Sequence, residues 1–116
     1  MSQWKWNDVV LEVDMEDVDF QEKYEAAFAK MEKTENELVK VGKLTDITKS
    51  YCQMFFDLFD DIFGEGTSNK LFGGKRNMRL VDECYDSFIS VCKKEVDEAN
   101  RRRMAKAKKY AVKVKR

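Results

Sequence analysis

The stretch Phe63-Gly-Glu-Gly-Thr-Ser-Asn-Lys-Leu-Phe-Gly-Gly-Lys-Arg-Asn77 holds four of the chain's five glycines and decides how its helices are joined. The chain has no proline, so glycine is its main punctuation. Glycine reaches positive φ without a Cβ clash. A phosphate loop would need a glycine at position 69 and a hydroxyl at position 76, so that backbone N–H groups and an oxygen hold phosphate and metal. Those positions carry Asn69 and Arg76. A dinucleotide fingerprint starting at Gly64 also needs glycine at 69, after a strand. Here the preceding run Met54-Phe-Phe-Asp-Leu-Phe-Asp-Asp-Ile62 reads as helix. The stretch is therefore expected to be a helix–turn–helix connector. Gly64 closes one helix in left-handed geometry. Thr67 or Ser68 caps a short turn through Leu71 and Phe72, Gly73 and Gly74 end it, and Asn77 caps the next helix.

Upstream, Ile47, Tyr51, Met54, Phe55, Leu58, Phe59 and Ile62 keep the helical period, with Thr45 as the expected cap. Phe56 and Phe63 widen that face beyond an ordinary amphipathic stripe. This helix is either the central core helix or one with a second buried surface. Before it, Asp19-Phe-Gln-Glu22 fits a capping box for a helix running to about Val41, stopped by Gly42. Downstream of Asn77, Leu80, Val81, Cys84, Tyr85, Phe88, Val91, Cys92 and Val96 mark a further helix, whose pattern can continue past Arg101. At the N-terminus, Trp4 and Trp6, then Val9, Leu11 and Val13, alternate with other residues around Asn7-Asp8. That is a hairpin pattern. A lone hairpin is marginal in water, so it must lie on the helices or join a neighbour's sheet.

The expected fold is mainly α: an N-terminal β-hairpin, three main helices and a short turn-helix within residues 1–99, then a basic extension over 100–116. The expected core is Phe28, Leu38, Tyr51, Met54, Phe55, Leu58, Phe59, Ile62, Leu71, Phe72, Cys84, Phe88 and Val91.

The 116 residues suit one domain. No run approaches the ~18 apolar residues of a membrane span, and no apolar leader opens the chain, so no membrane partner is expected. There is no histidine, which removes the usual general base and the commonest metal ligand. Cys52, Cys84 and Cys92 lack C-x-x-C spacing and lie among apolar residues, as buried free thiols do. No catalytic residue, metal or cofactor is expected, and the chain reads as a non-enzyme.

The formal net charge of zero hides a strong polarity. Residues 1–99 carry 22 acids against 13 Lys/Arg, a net of −9, while residues 100–116 carry nine Lys/Arg and no acid. Asp57, Asp60, Asp61 and Glu65 gather at the end of a helix, where carboxylates oppose its dipole. They are either ion-paired by Lys70, Lys75 and Arg76 folding back, or solvated, or a contact for a partner or a divalent cation. The tail from Arg101-Arg102-Arg103 onward has a protein-contact reading, against the acidic body in cis or on a neighbour, and a nucleic-acid reading.

The run F-G-E-G-T-x-x-K-L-F-G-G-K-x-N, followed by C-Y-D-S-F-I, resembles a family of small phage and prophage proteins of Firmicutes of unknown function. That family is similar in size and layout to the tail assembly chaperones of long-tailed phages. The resemblance covers roughly Trp4 to Asn100. It implies a protein that shields apolar helical segments of the phage tape-measure protein, with the bacterial host cytoplasm as the default compartment. A homo-oligomer is expected because a strand edge, an apolar face and opposite charges within one chain favour self-association. The partner helix is expected in a groove formed by Phe56, Phe59, Phe63, Leu71 and Phe72. Asp57, Asp60, Asp61, Glu65, Lys75, Arg76, Arg101, Arg102 and Arg103 are the expected electrostatic contacts. The alternatives are a phage-encoded inhibitor of a host protein and a DNA-associated packaging or head–tail factor.

Overall fold

The computed structural model describes residues 1–38 and 40–114. Six elements follow in order: β1 (Ser2–Trp6), β2 (Val9–Val13), α1 (Val18–Asn36), α2 (Leu44–Phe63), α3 (Thr67–Phe72) and α4 (Met78–Val114). The mainly α reading with an N-terminal hairpin therefore holds.

The strands pair antiparallel with Trp4 opposite Leu11 and Trp6 opposite Val9, and Asn7 in the turn takes a left-handed φ of 54°. Paired residues share a face, and that face is the inward one: Trp4 and Val13 are buried, while Val10 is half exposed. The hairpin lies on the helices. Trp4 inserts its indole among Phe88, Phe59 and Phe63, at centroid distances of 5.1, 5.4 and 5.8 Å. Its Nε1–H donates to Ser87 Oγ at 3.0 Å. A buried indole needs such a partner, so the bond fixes which way the ring enters.

Helix α2 is the central core helix. It buries Cys52, Met54, Phe55, Leu58, Phe59 and Ile62. Its broad apolar surface is shared between the hairpin, α3 and α4, with Phe59 contacting Trp4, Phe72 and Phe88. The core also takes in Trp4, Val13, Ala27, Val81 and Cys92, which lie outside the expected core set. Phe28, Leu38, Tyr51 and Val91 are half-buried rather than core.

The helix ends differ from the sequence reading in ways that have local causes. Asp17, not Asp19, caps α1: its carboxylate accepts from Phe20 N at 3.2 Å. Asp19 lies in the first turn, where a carboxylate suits the dipole. The helix ends at Asn36 rather than Val41, because Leu38 turns in against the core while Lys40, Val41 and Gly42 are exposed. Lys43 stands at the start of α2 without a side-chain cap bond, and Thr45 is already helical.

The glycine connector folds as a turn, but its details are tertiary. Gly64 has φ 113° and ψ 154°, a region essentially reserved for glycine and distinct from the left-handed helical one. Gly66 and Gly73 bracket α3 in left-handed geometry. The cap of α3 comes from the preceding helix: Asp60 accepts from Ser68 N at 2.7 Å and from Ser68 Oγ at 3.0 Å. Thr67, expected to cap, is helical and buried, and its hydroxyl donates to Gly64 O at 2.7 Å. Asn77 does cap α4, accepting from Leu80 N at 3.1 Å. Asp60→Ala removes a cap whose usual worth is about 1–2 kcal/mol; urea titration should show that loss with little change in helical signal.

Helix α4 runs unbroken for 37 residues, about 55 Å at the helical rise. It carries the basic stretch beyond Asn100 as helix through Val114. The molecule is consequently elongated, with extents of 69 × 32 × 22 Å.

Candidate functional site

Helices α1 and α4 leave a seam along one side of the molecule, opened into three adjoining clefts. The first, about 360 Å³, lies where α4 leaves the body and is lined by Met15, Glu16, Tyr24, Glu25, Val96 and Arg103, among others. The second, about 460 Å³, shares Tyr24 and Glu25 with the first and adds Phe28, Glu32, Glu35 and Tyr85. The third, about 520 Å³, shares Glu35 and Tyr85 with the second and reaches Leu38, Ile47, Tyr51 and Phe55.

The floor is aromatic: Tyr24 and Phe28 lie 4.5 Å apart, Phe28 and Tyr85 6.3 Å, and Phe55 meets Tyr85 edge-on at 5.0 Å. The α1 wall is acidic, with Glu25, Glu32 and Glu35 exposed. Burial pushes the Tyr24 and Tyr85 hydroxyls above the usual phenol range, helped at Tyr85 by Asp86 and Glu35. Tyr51 is raised by burial and by its hydrogen bond to Asp82. These phenols stay neutral and present O–H donors. The lining of the third cleft is mainly apolar, with Met31, Leu38, Ile47, Met54 and Phe55 beside Glu35 and Lys40, while exposed Leu44 borders a separate cleft with Thr48 and Arg76. The groove therefore grades from charged at the α4 exit to apolar at the start of α2.

The five expected groove residues do not form a groove. Phe59, Leu71 and Phe72 are buried core, Phe56 stacks on Phe72 at 5.1 Å, and Phe63 is held against Trp4, Phe20 and Phe88. The wide face of α2 is consumed by the hairpin and α3, which the helical period of α2 alone cannot reveal.

The expected electrostatic residues are divided. Asp60 caps α3, Asp61 pairs with Lys30 of α1 at 3.2 Å, and Asp57 accepts from Gln53 at 2.9 Å. Glu65 is exposed. Among the described residues, Lys70, Lys75 and Arg76 enter no ion pair with these acids. Arg76 does line one cleft with Asp57. Arg102 and Arg103 both pair with Glu16, the latter at 3.1 Å, so the start of the basic stretch is anchored to the acidic body in cis. Arg101 is exposed.

All three cysteines are buried and free. Burial pushes the Cys84 and Cys92 thiols up to about 12, so they stay protonated at neutral pH.

A residue that sequence reasoning missed is Glu95. It is 5% exposed, accepts a hydrogen bond from Met15 N, and lies 3.9 Å from the amino group of Met1. It fastens the end of the hairpin to α4. Its signal was its position between Cys92 and Ala99 on the buried stripe, where a charge needs a partner.

The model of a family of unknown function, DUF6673, matches residues 7–116. The chain belongs to this family. The matched span takes in α1 to α4 and the second strand of the hairpin. Neither the curated proteins nor the solved structures contain a match.

Proposed function

We propose that this family member is a non-enzymatic helix-binding protein, a tail assembly chaperone-like protein that shields apolar helical segments of a phage tape-measure protein. The observation that supports the reading is the apolar end of the seam groove, where Leu38, Ile47, Tyr51 and Phe55 line a cleft of about 520 Å³. A groove of this kind takes a partner helix through anchors at i, i+3, i+4 and i+7. The client surface moves accordingly from the buried Phe59, Leu71 and Phe72 to the mouth between α1 and α2.

The test is co-expression with a phage tape-measure protein. Ile47→Asp is the informative variant. Ile47 lines the cleft, is half-buried and lies near the start of α2, where an aspartate complements the helix dipole, and circular dichroism checks that the fold is kept. Soluble tape-measure protein should fall with Ile47→Asp, and its affinity should drop by roughly tenfold or more, as for a central anchor. A client equally soluble with the variant, or without this chain, rules the reading out.

A further inference from the structure

Beyond Ala99, helix α4 keeps its spacing and changes its chemistry. Phe88, Cys92, Glu95 and Ala99 recur at steps of four and three residues, and all four are buried against the body. The same steps lead next to Arg102, Lys106 and Lys109. Cations thus occupy the positions that upstream face the core. Arg102 is held by Glu16, but Lys106 and Lys109 are exposed, with Tyr110, 51% exposed, on the same face.

The complement of this stripe lies on α1. Glu22, Glu25, Ala29 and Glu32 follow the same steps of four and three, all exposed, along the wall of the aromatic groove. Helix α4 cannot bend back into that groove in its own molecule. The chain has no proline, its last glycine is Gly74, and α4 is continuous. Tyr85, on the groove floor, precedes Arg101 by 16 residues of that helix, about 24 Å at the helical rise.

We propose that the basic end of α4 from a second copy of this chain docks in the acidic, aromatic groove formed by Tyr24, Glu25, Phe28, Glu32, Glu35 and Tyr85. Lys106 and Lys109 meet the glutamates, while Tyr110 covers the rings. Cations over aromatic faces and beside carboxylates gain from both. The −9 of residues 1–99 and the nine cations beyond them supply the attraction. Each copy offers one tail and one groove, so exchange closes a symmetric pair or runs head to tail. This groove adjoins the client cleft and shares Glu35 and Tyr85 with it, and the inference stands without the client reading.

The experiment is sedimentation velocity on the full chain from about 1 to about 100 µM, at roughly 50 and 500 mM salt, bracketing strong and weak screening. Two charge reversals are compared, Lys106→Glu/Lys109→Glu and Glu25→Lys/Glu32→Lys. All four positions are exposed, so both variants should keep the wild-type circular dichroism. Wild type should self-associate at low salt, roughly tenfold or more weakly at high salt. Each variant alone should be monomeric. An equimolar mixture should assemble again, because each variant's tail now complements the other's groove. Wild type that is monomeric throughout overturns the proposal, as does self-association that survives both reversals. A tail reversal that abolishes binding to labelled duplex DNA, with no assembly in the mixture, also overturns it and assigns the cations to nucleic acid.

Discussion

Trp4→Ala is expected to lower the unfolding free energy by about 3–5 kcal/mol, the usual range for emptying a large aromatic site. Trp4 is 1% exposed and touches Phe59, Phe63 and Phe88, so its removal leaves a cavity bounded by rings from two helices. It also leaves the Ser87 hydroxyl without its donor. Val13 is the other buried side chain of the hairpin and much the smaller, so without Trp4 the strands should lose their hold on α4 before the helices unfold. Urea titration followed by circular dichroism measures the loss. Trp4→Phe retains the ring contacts and removes the hydrogen bond, and should cost about 1–2 kcal/mol less than the alanine variant. Trp6, half-buried and with an unpartnered indole N–H, provides the contrast. Trp6→Phe should change stability by less than about 1 kcal/mol, since no hydrogen bond is lost. A Trp4→Ala protein as stable as wild type would refute the view that this indole pins the hairpin.

Phe59→Asp should abolish cooperative folding near neutral pH. Phe59 is 0% exposed, at the meeting point of Trp4, Phe72 and Phe88. No cation among the described ion pairs lies at that point. A buried carboxylate without a partner costs several kcal/mol on top of the lost packing. A domain of this size has only about 5–15 kcal/mol in total. Thermal melts of Phe59→Asp should show no cooperative transition, whereas Leu44→Asp should melt within a few degrees of wild type. The pair separates the core side of α2 from its open end. A cooperative melt for Phe59→Asp would mean that this face is accessible, as the sequence by itself suggests.

The aspartate variants show where sequence reading stops. Ile47, Phe56 and Phe59 all lie on the apolar helix ending at Phe63, and its period marks them as members of one broad face. Which of them meet neighbours depends on what the hairpin and α3 cover. The same limit applies to the acids after Asp57. Their clustering at a helix end was legible and looked anomalous. That Asp60 caps the next helix, and Asp61 meets Lys30 of α1, depends on partners 8 and 31 residues away. The acidic wall of the groove was legible only as net charge, because its floor combines Tyr24 and Phe28 with Tyr85 from the far end of the chain.

By itself, the sequence determined what local chemistry determines. The alternation around Asn7-Asp8 specified the hairpin, the helical periods specified α2 and α4, and glycines at 64, 66, 73 and 74 specified the connector. Backbone sterics and periodic burial act over a few residues, so they can be read in order. Only the tertiary structure decided that Trp4 is the centre of the core, that Phe59, Leu71 and Phe72 serve the core and not a groove as well, and that Glu16 anchors the first arginines of the basic stretch. Those outcomes depend on contacts spanning more than fifty residues between Trp4 and Phe59 and more than eighty between Glu16 and Arg102. Such contacts compete for the same apolar faces and charges, and close packing admits one arrangement that no single segment encodes.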